Sequence, residues 1–552
     1  MLSLGMVLIS MILFFIAYKT YGDYLADQWG IDSSKPTPAH TKEDGVDFVP
    51  AKPQVLLGHH FASIAGAGPI NGPVQAAVFG WVPVLLWIII GGIFFGGVHD
   101  YGSLTASMKH DGKSVGTIVE DYMGSTGKTL FSAFAWLTLI LVVAAFGSIV
   151  AQSFESTPVV ATASILFMVE AIIFGYFVYR KGVNLGIATV IGVIFLFVSI
   201  YVAQFFPIQL SATTWVIFLG IYAFVASTAP VWILLQPRDY LNSYLLYAMM
   251  LGAVLGILIA RPEIQMDAYS GFKIESANGA VKLLFPTLFI TVACGAISGF
   301  HSLVGSGTTS KQIDNERDAK LIGYGGMLIE CALAAIALVT AAYLTKENYG
   351  EILGEKGPTV LFSMGIADFM SKFGIPYEHG LTFVTLSVSA FALTSLDTAT
   401  RLARFIFQEF FEKNDGVGEQ SPLTNKWVST TITVVVGFAF ALKGYKLIWP
   451  IFGSANQLLA GLALLAVAGW LKGENRNYKM IIFPMFFMFA ATLTALVVET
   501  KNYFGKATLE GGAGNWIMTV LPIVLFILAL VLMKVGFQVL FSDKNKNRLE
   551  TK

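Results

Sequence analysis

Apolar runs of about 20 residues, separated by short polar loops, recur along nearly the whole chain. At 1.5 Å rise per residue, a run of that length crosses the hydrocarbon core of a bilayer. The first is Leu2–Tyr18. Pro53 to His99 contains no Asp, Glu, Lys or Arg and is long enough for two, Gly58–Gly80 and Trp81–Ser107. Thr129–Phe154 and Ser156–Tyr179 follow, and the charge-free stretch from Gly182 to Pro237 divides near Phe206–Thr214. Next come Leu241–Ala260, Leu283–Thr309, Leu321–Leu344 and Gly380–Leu396, with a polar insertion between the last two. Trp427–Leu442, Ile448–Leu471, Met480–Val498 and Gly514–Met533 complete about 15 expected spans.

One span is written unlike the others. GHHFASIAGAGPINGPV, Gly58–Val74, combines Gly66, Gly68 and Gly72 with Pro69, Pro73 and Asn71. Gly and Pro disfavour a helix interior by about 1 and 3 kcal/mol against Ala. Lipid tolerates open backbone only where protein or a water-filled cavity satisfies it. The segment is therefore expected to be a discontinuous helix, unwound around Ala65 to Gly72. Such interruptions form binding sites in secondary transporters. A second break signal, Ser227-Thr228-Ala229-Pro230, lies inside the run from Thr214 to Pro237. Five spans separate the two, which inverts one against the other. This predicts a LeuT-type core of two five-helix inverted repeats over residues 58–407. An N-terminal span and polar loop, 1–57, would precede it, and further membrane helices with a short tail, 408–552, would follow.

Charge orients this all-α polytopic arrangement. Lys109, Lys113, Arg180, Lys181, Lys311, Lys320, Lys472 and Lys479 fall in alternate loops, as do Lys544, Lys546 and Arg548 in the tail. Cytoplasmic loops carry the excess of Lys and Arg. The N-terminus is thus expected outside and the C-terminus in the cytoplasm. Composition supports a membrane class: 55% hydrophobic residues, 13% charged, mean hydropathy +0.69. Formal net charge is zero, which gives no reason to expect a nucleic-acid partner. The lipid bilayer and a small-molecule substrate are the expected partners. The cysteines, Cys294 and Cys331, both lie in apolar runs and form no disulfide framework. No phosphate-binding loop or enzyme active-site motif is present.

Candidate chemistry falls into three groups. Substrate contact is expected from Ala65, Gly66, Ala67, Gly68, Asn71 and Gly72, with Ser227 and Thr228 as the partner half-site. Freed carbonyls there can hold a cation, and half-helix N-termini a carboxylate. Ion or proton coupling is expected from Ser298, His301, Ser302, Glu330 and Asp397, because polar groups inside spans are functional by default. Ser and Thr also bond their own helix carbonyls, the competing structural role. Gating is expected from His59, His60, His99 and Asp100, placed at the cytoplasmic ends of two consecutive spans, and from Arg401. Asp397 and Arg401 stand four apart and are expected to pair. The histidine group lacks short ligand spacing, so no metal site is expected there. Glu170 is a further intramembrane acid, and Gly453–Gln457 a further Gly/Ser/Asn break signal.

Five blocks together resemble the carbon starvation protein A (CstA) family. They are GHHFASIAGAGPINGPV, VHDYGSLTASMKHDGKS, SGTTSKQI followed by IGYGGMLIE, SLDTATRLARFIFQE, and WPIFGSANQLLAGLAL. The resemblance implies a transporter of the bacterial inner membrane in the amino acid–polyamine–organocation superfamily. It further implies uptake of peptides or of pyruvate, the latter proton-coupled. The expected function is secondary active import of a small carboxylate-bearing nutrient by alternating access, with H⁺ or Na⁺ as coupling ion and no other cofactor. A passive channel and a membrane nutrient sensor are the alternatives.

Overall fold

The computed structural model describes residues 2–45, 47–275, 281–412 and 421–541. The basic tail residues Lys544, Lys546 and Arg548 lie outside the described residues. Apart from a small hairpin pairing Lys273–Glu275 with Val281–Leu283, the described chain is helical. Eleven described helices are long and apolar enough to cross a membrane, from Leu2–Trp29 to Gly514–Phe541. Four expected spans remain. Two fall on shorter apolar helices, Ala212–Thr228 and Lys426–Ala441. The other two fall on interrupted helices.

The first interruption falls within the expected stretch but is shorter: the second half-helix starts at Gly68 and not at Pro73, so Asn71 and Gly72 are helical. Pro53–Ile64 ends, residues 65–67 are non-helical, and Gly68–Ala76 begins with Pro69 in its first turn. Pro is suited to that position because its missing N–H has no intrahelical partner there. The second interruption is not at Ser227–Pro230. Ala212–Thr228 simply ends there, and the chain turns before Leu235–Ala260 begins. The Thr228 hydroxyl donates to Phe224 O and Val225 O of its own helix, both at 3.0 Å. The run expected as one span, Leu283–Thr309, is instead divided into Leu284–Thr291 and Gly299–Gly307, with 292–298 unwound.

These two interrupted helices pack on each other. Pro53–Ile64 lies against Gly299–Gly307, and Gly68–Ala76 against Leu284–Thr291. First half meets second half, so they run antiparallel. The polar insertion holds another helix, Pro358–Ser371, which packs on Gly68–Ala76 and on Tyr377–Phe411. The Gly453–Gln457 signal makes no break: Tyr445–Gly473 is continuous.

Apolar burial follows position in the bundle. Ile448–Gly473 is buried throughout its apolar window, whereas Leu185–Ala203 turns Ile187, Val190, Ile191, Ile194 and Phe195 outward. An outward apolar face is stable where lipid replaces water.

Candidate functional site

Each interruption frees backbone groups, and named side chains satisfy them. Ser395 Oγ donates to Ser63 O at 2.9 Å, where the first half-helix ends. Trp87 Nε1 donates to Val292 O at 3.1 Å, and Gln457 Nε2 to Phe289 O at 3.1 Å. Asn456 Oδ1 accepts from Phe300 N at 2.8 Å, in the first turn of Gly299–Gly307, and Asn456 Nδ2 donates to Ser298 Oγ at 3.0 Å. Tyr349 OH donates to Val74 O at 2.8 Å, and Thr359 Oγ1 to Asn71 Oδ1 at 2.8 Å. An unsatisfied backbone group in hydrocarbon costs several kcal/mol. These surrounding helices therefore hold both interruptions open and fixed.

The interruptions meet closely. A Cβ on Gly68 would stand 2.4 Å from Cys294 Sγ, and one on Gly72 would stand 2.6 Å from Thr291 O. A Cβ on Gly66 would stand 2.8 Å from Ser395 Oγ. Gly68 and Gly72 are thus required for contact across the junction, and Gly66 for close approach of Tyr377–Phe411. Ala65, Ala67 and Asn71 are fully buried beside them.

Behind this junction runs a chain of buried ionisable groups. Asp100 joins two histidines: Oδ1 is 2.7 Å from His99 Nδ1, and Oδ2 is 2.8 Å from His301 Nδ1. On its other side, His301 Nε2 faces Glu330 Oε2 at 3.5 Å. The expected coupling residues His301 and Glu330 are thus brought together, with His99 and Asp100 added from the expected gating group, while the Ser298 hydroxyl bonds to Asn456. Ser302 is buried nearby in sequence but donates to Gly299 O of its own helix at 2.7 Å.

All four residues of the expected gating group are buried, and the hydrogen bonds of His59 and His60 go to other partners than His99 and Asp100. His60 Nδ1 is 2.8 Å from Thr309 Oγ1, while His59 Nδ1 is 3.0 Å from Asp239 Oδ2. The Asp397–Arg401 pairing is also corrected. Asp397 pairs with Arg238 and accepts from Tyr222 OH at 2.5 Å. Arg401 instead donates to Ala229 O at 2.7 Å and to Asp47 Oδ1 at 3.2 Å. A same-helix ion pair is worth only about 0.2–0.5 kcal/mol, so better-placed partners win.

Arg238 and Asp239 carry a second buried network that the sequence pattern concealed. Both stand next to the apolar run from Leu241 and read there as loop residues. In the fold Arg238 is 1% exposed and Asp239 0%. Arg238 donates to Asp239 Oδ1 at 2.8 Å, and Thr394 Oγ1 donates to the same oxygen at 3.1 Å. A charged pair so close to an apolar run was the available signal. Ser227 is buried at the end of Ala212–Thr228, away from the junction just described.

A polytopic helical bundle, apolar on its outer faces, with two antiparallel interrupted helices and buried ionic chains at their junction, defines a membrane transporter. The chain belongs to the carbon starvation protein CstA family, whose model matches residues 2–355 and 346–495. It is similar to "Peptide transporter CstA" of Bacillus subtilis (strain 168), 31% identical, with 96% of each chain covered. It is also similar to "Pyruvate/proton symporter BtsT" of Escherichia coli (strain K12), 31% identical over 90% of this chain and 81% of that one. Among solved structures, a mutant manganese transporter from Eremococcus coleocola superposes with a TM-score of 0.46 at 11% identity, covering 88% of this chain and 94% of that one. The chain is accordingly a multi-pass membrane transporter and not an enzyme.

Proposed function

We propose that this transporter imports a short peptide or pyruvate by alternating access, driven by the proton gradient across the bacterial inner membrane. The observation that carries the reading is the antiparallel junction of two interrupted helices, sealed by side chains and backed by buried acids and histidines. Ala65–Gly72 and residues 292–298 form the substrate site, with Asn71 and the N-terminal turns of the second half-helices oriented to receive a carboxylate. Ser298, His301 and Glu330 form its polar wall. Transport core and flanking helices divide as 1–57, 58–407 and 408–552, with the antiparallel pair as the core's axis; its two interrupted helices are the second and ninth of the expected spans, seven apart and not the five of the expected repeat. H⁺ is favoured over Na⁺ by the name of the proton-symporting relative. The His59–Asp239 pair, coupled through Arg238 to Asp397, is the proton-carrying element.

The test is uptake into proteoliposomes holding the purified chain. Labelled pyruvate and a labelled dipeptide are compared under imposed proton and sodium gradients. Accumulation of one of them that follows only the proton gradient is expected. Flux indifferent to gradient reversal would make the chain a channel, and binding without flux would make it a sensor. His59→Gln is expected to abolish proton-driven accumulation while retaining substrate counterflow, which moves no net proton. Equal loss of both would assign His59 a structural role.

N-out, C-in topology is part of the proposal and rests on the loop charges. Lys113 is exposed, and both native cysteines are buried. Lys113→Cys should therefore react with an impermeant thiol reagent only from the cytoplasmic face. Labelling from the periplasm would reverse the topology.

A further inference from the structure

We propose that Cys294, His301 and Glu330 form a binding site for one divalent transition-metal cation of the Zn²⁺ class. One ligand atom from each, Cys294 Sγ, His301 Nε2 and a Glu330 carboxylate oxygen, lies within 4.8 Å of the other two. The three side chains come from separate places in the fold. Cys294 is in the second interruption, His301 opens the half-helix that follows, and Glu330 is on Lys320–Ala342. They are 3%, 1% and 0% exposed.

Hydrogen bonding leaves this site short of a cation. His301 Nδ1 is engaged by Asp100 Oδ2 at 2.8 Å. A neutral imidazole that donates from Nδ1 to a carboxylate presents a lone pair at Nε2. In that tautomer it faces Glu330 Oε2 at 3.5 Å; a protonated His301 would pair with both acids instead, and the metal cation takes that proton's place. Neither His301 Nε2 nor either Glu330 oxygen has a hydrogen-bond partner. Cys294 Sγ adds a third donor, with the Ser298 hydroxyl 3.5 Å away. A cation between them satisfies all three at once. Asp100 then supplies the outer carboxylate that ordinarily orients a metal-bound histidine. His99, at 2.7 Å, fixes Asp100 from behind.

Donor chemistry selects the ion. Sulfur, imidazole nitrogen and one carboxylate suit Zn²⁺ and similar borderline metals, whereas Ca²⁺ and Mg²⁺ require oxygen-rich cages. Bond lengths of about 2.0–2.3 Å place tetrahedral ligand atoms about 3.3–3.8 Å apart, so side-chain shifts of about 1 Å complete the site. Three protein ligands leave a fourth position open. A bound cation would tie the unwound 292–298 segment to Lys320–Ala342, directly against Gly68.

Co²⁺ titration of the full chain in detergent, after chelation and removal of any affinity tag, tests the site without reference to transport. One Co²⁺ per chain is expected, with a thiolate-to-cobalt charge-transfer band that Zn²⁺ abolishes. Cys294→Ser should remove the band, and His301→Ala or Glu330→Gln should weaken binding at least tenfold. Cys331→Ser, altering the other buried cysteine, should leave band and affinity unchanged. Absence of a cobalt–thiolate band in the unmodified chain, or a band that survives Cys294→Ser, would overturn the proposal. Where one ligand variant fails to fold, the Cys294→Ser and Cys331→Ser pair decides.

Discussion

Gly72→Ala is expected to reduce uptake at least tenfold. The added methyl would stand 2.6 Å from Thr291 O and 3.2 Å from Val292 Cα, both backbone atoms. No rotamer change relieves that contact, so the two interrupted helices must separate. Overpacking of this kind costs about 1–3 kcal/mol, and each 1.4 kcal/mol is a factor of about ten in an equilibrium. In an alternating-access cycle the junction must re-form on each turnover, so the cost falls on the closed state. Gly68→Ala provides the graded comparison. Its methyl meets Cys294 Sγ at 2.4 Å and Cys294 Cβ at 2.7 Å, a side chain and not backbone. Uptake should fall less than in Gly72→Ala, and Cys294→Gly should restore part of it. Gly68→Leu exceeds what Cys294 can yield and should abolish uptake. Labelled-substrate uptake is read against the amount of monodisperse protein in detergent. Near-normal uptake by Gly72→Ala would remove the junction from the transport cycle.

The sequence exposes some of this architecture and conceals the rest for physical reasons. Spans are legible because a bilayer admits only long apolar helices, and the first interruption because Gly66, Gly68, Pro69 and Pro73 cannot form an ordinary one. The second is concealed in VACGAIS, residues 292–298, which is apolar and contains no Pro. Its unwinding is sustained from outside, by Trp87, Asn456 and Gln457, and a local pattern does not contain those contacts. Pro230 offers a false signal, because a proline that disfavours helix in the preceding residue ends a helix as readily as it breaks one. His301 and Glu330 are legible individually as ionisable residues in spans. Their union with Asp100 depends on packing across the bundle. Arg238 and Asp239 escape notice because charge beside an apolar run ordinarily marks its exit into water. Here their partners, Asp397 for Arg238 and His59 for Asp239, arrive from helices more than 150 residues away in sequence.

Arg238→Met should cost more stability than any other single change to the buried networks. Arg238 lies between Asp239 and Asp397, all three at most 1% exposed. Removing the guanidinium leaves two carboxylates without their cation, and breaking a buried pair from one side costs about 3–5 kcal/mol. Methionine retains much of the side-chain volume, so the loss reports charge and hydrogen bonding more than cavity formation. Arg238→Lys keeps the charge but cannot donate at once to Asp239, Asp397 and Tyr222 in the planar fork that guanidinium provides. It should fall between the parent and Arg238→Met. Adding Asp397→Leu to Arg238→Met removes one stranded carboxylate, while His59 continues to hold Asp239 at 3.0 Å. The double variant should therefore melt at a higher temperature than Arg238→Met alone. Melting of detergent-solubilised protein, followed by tryptophan fluorescence, measures the series. An Arg238→Met protein as stable as its parent would mean that His59, Thr394 and Tyr222 already satisfy Asp239 and Asp397 without the guanidinium.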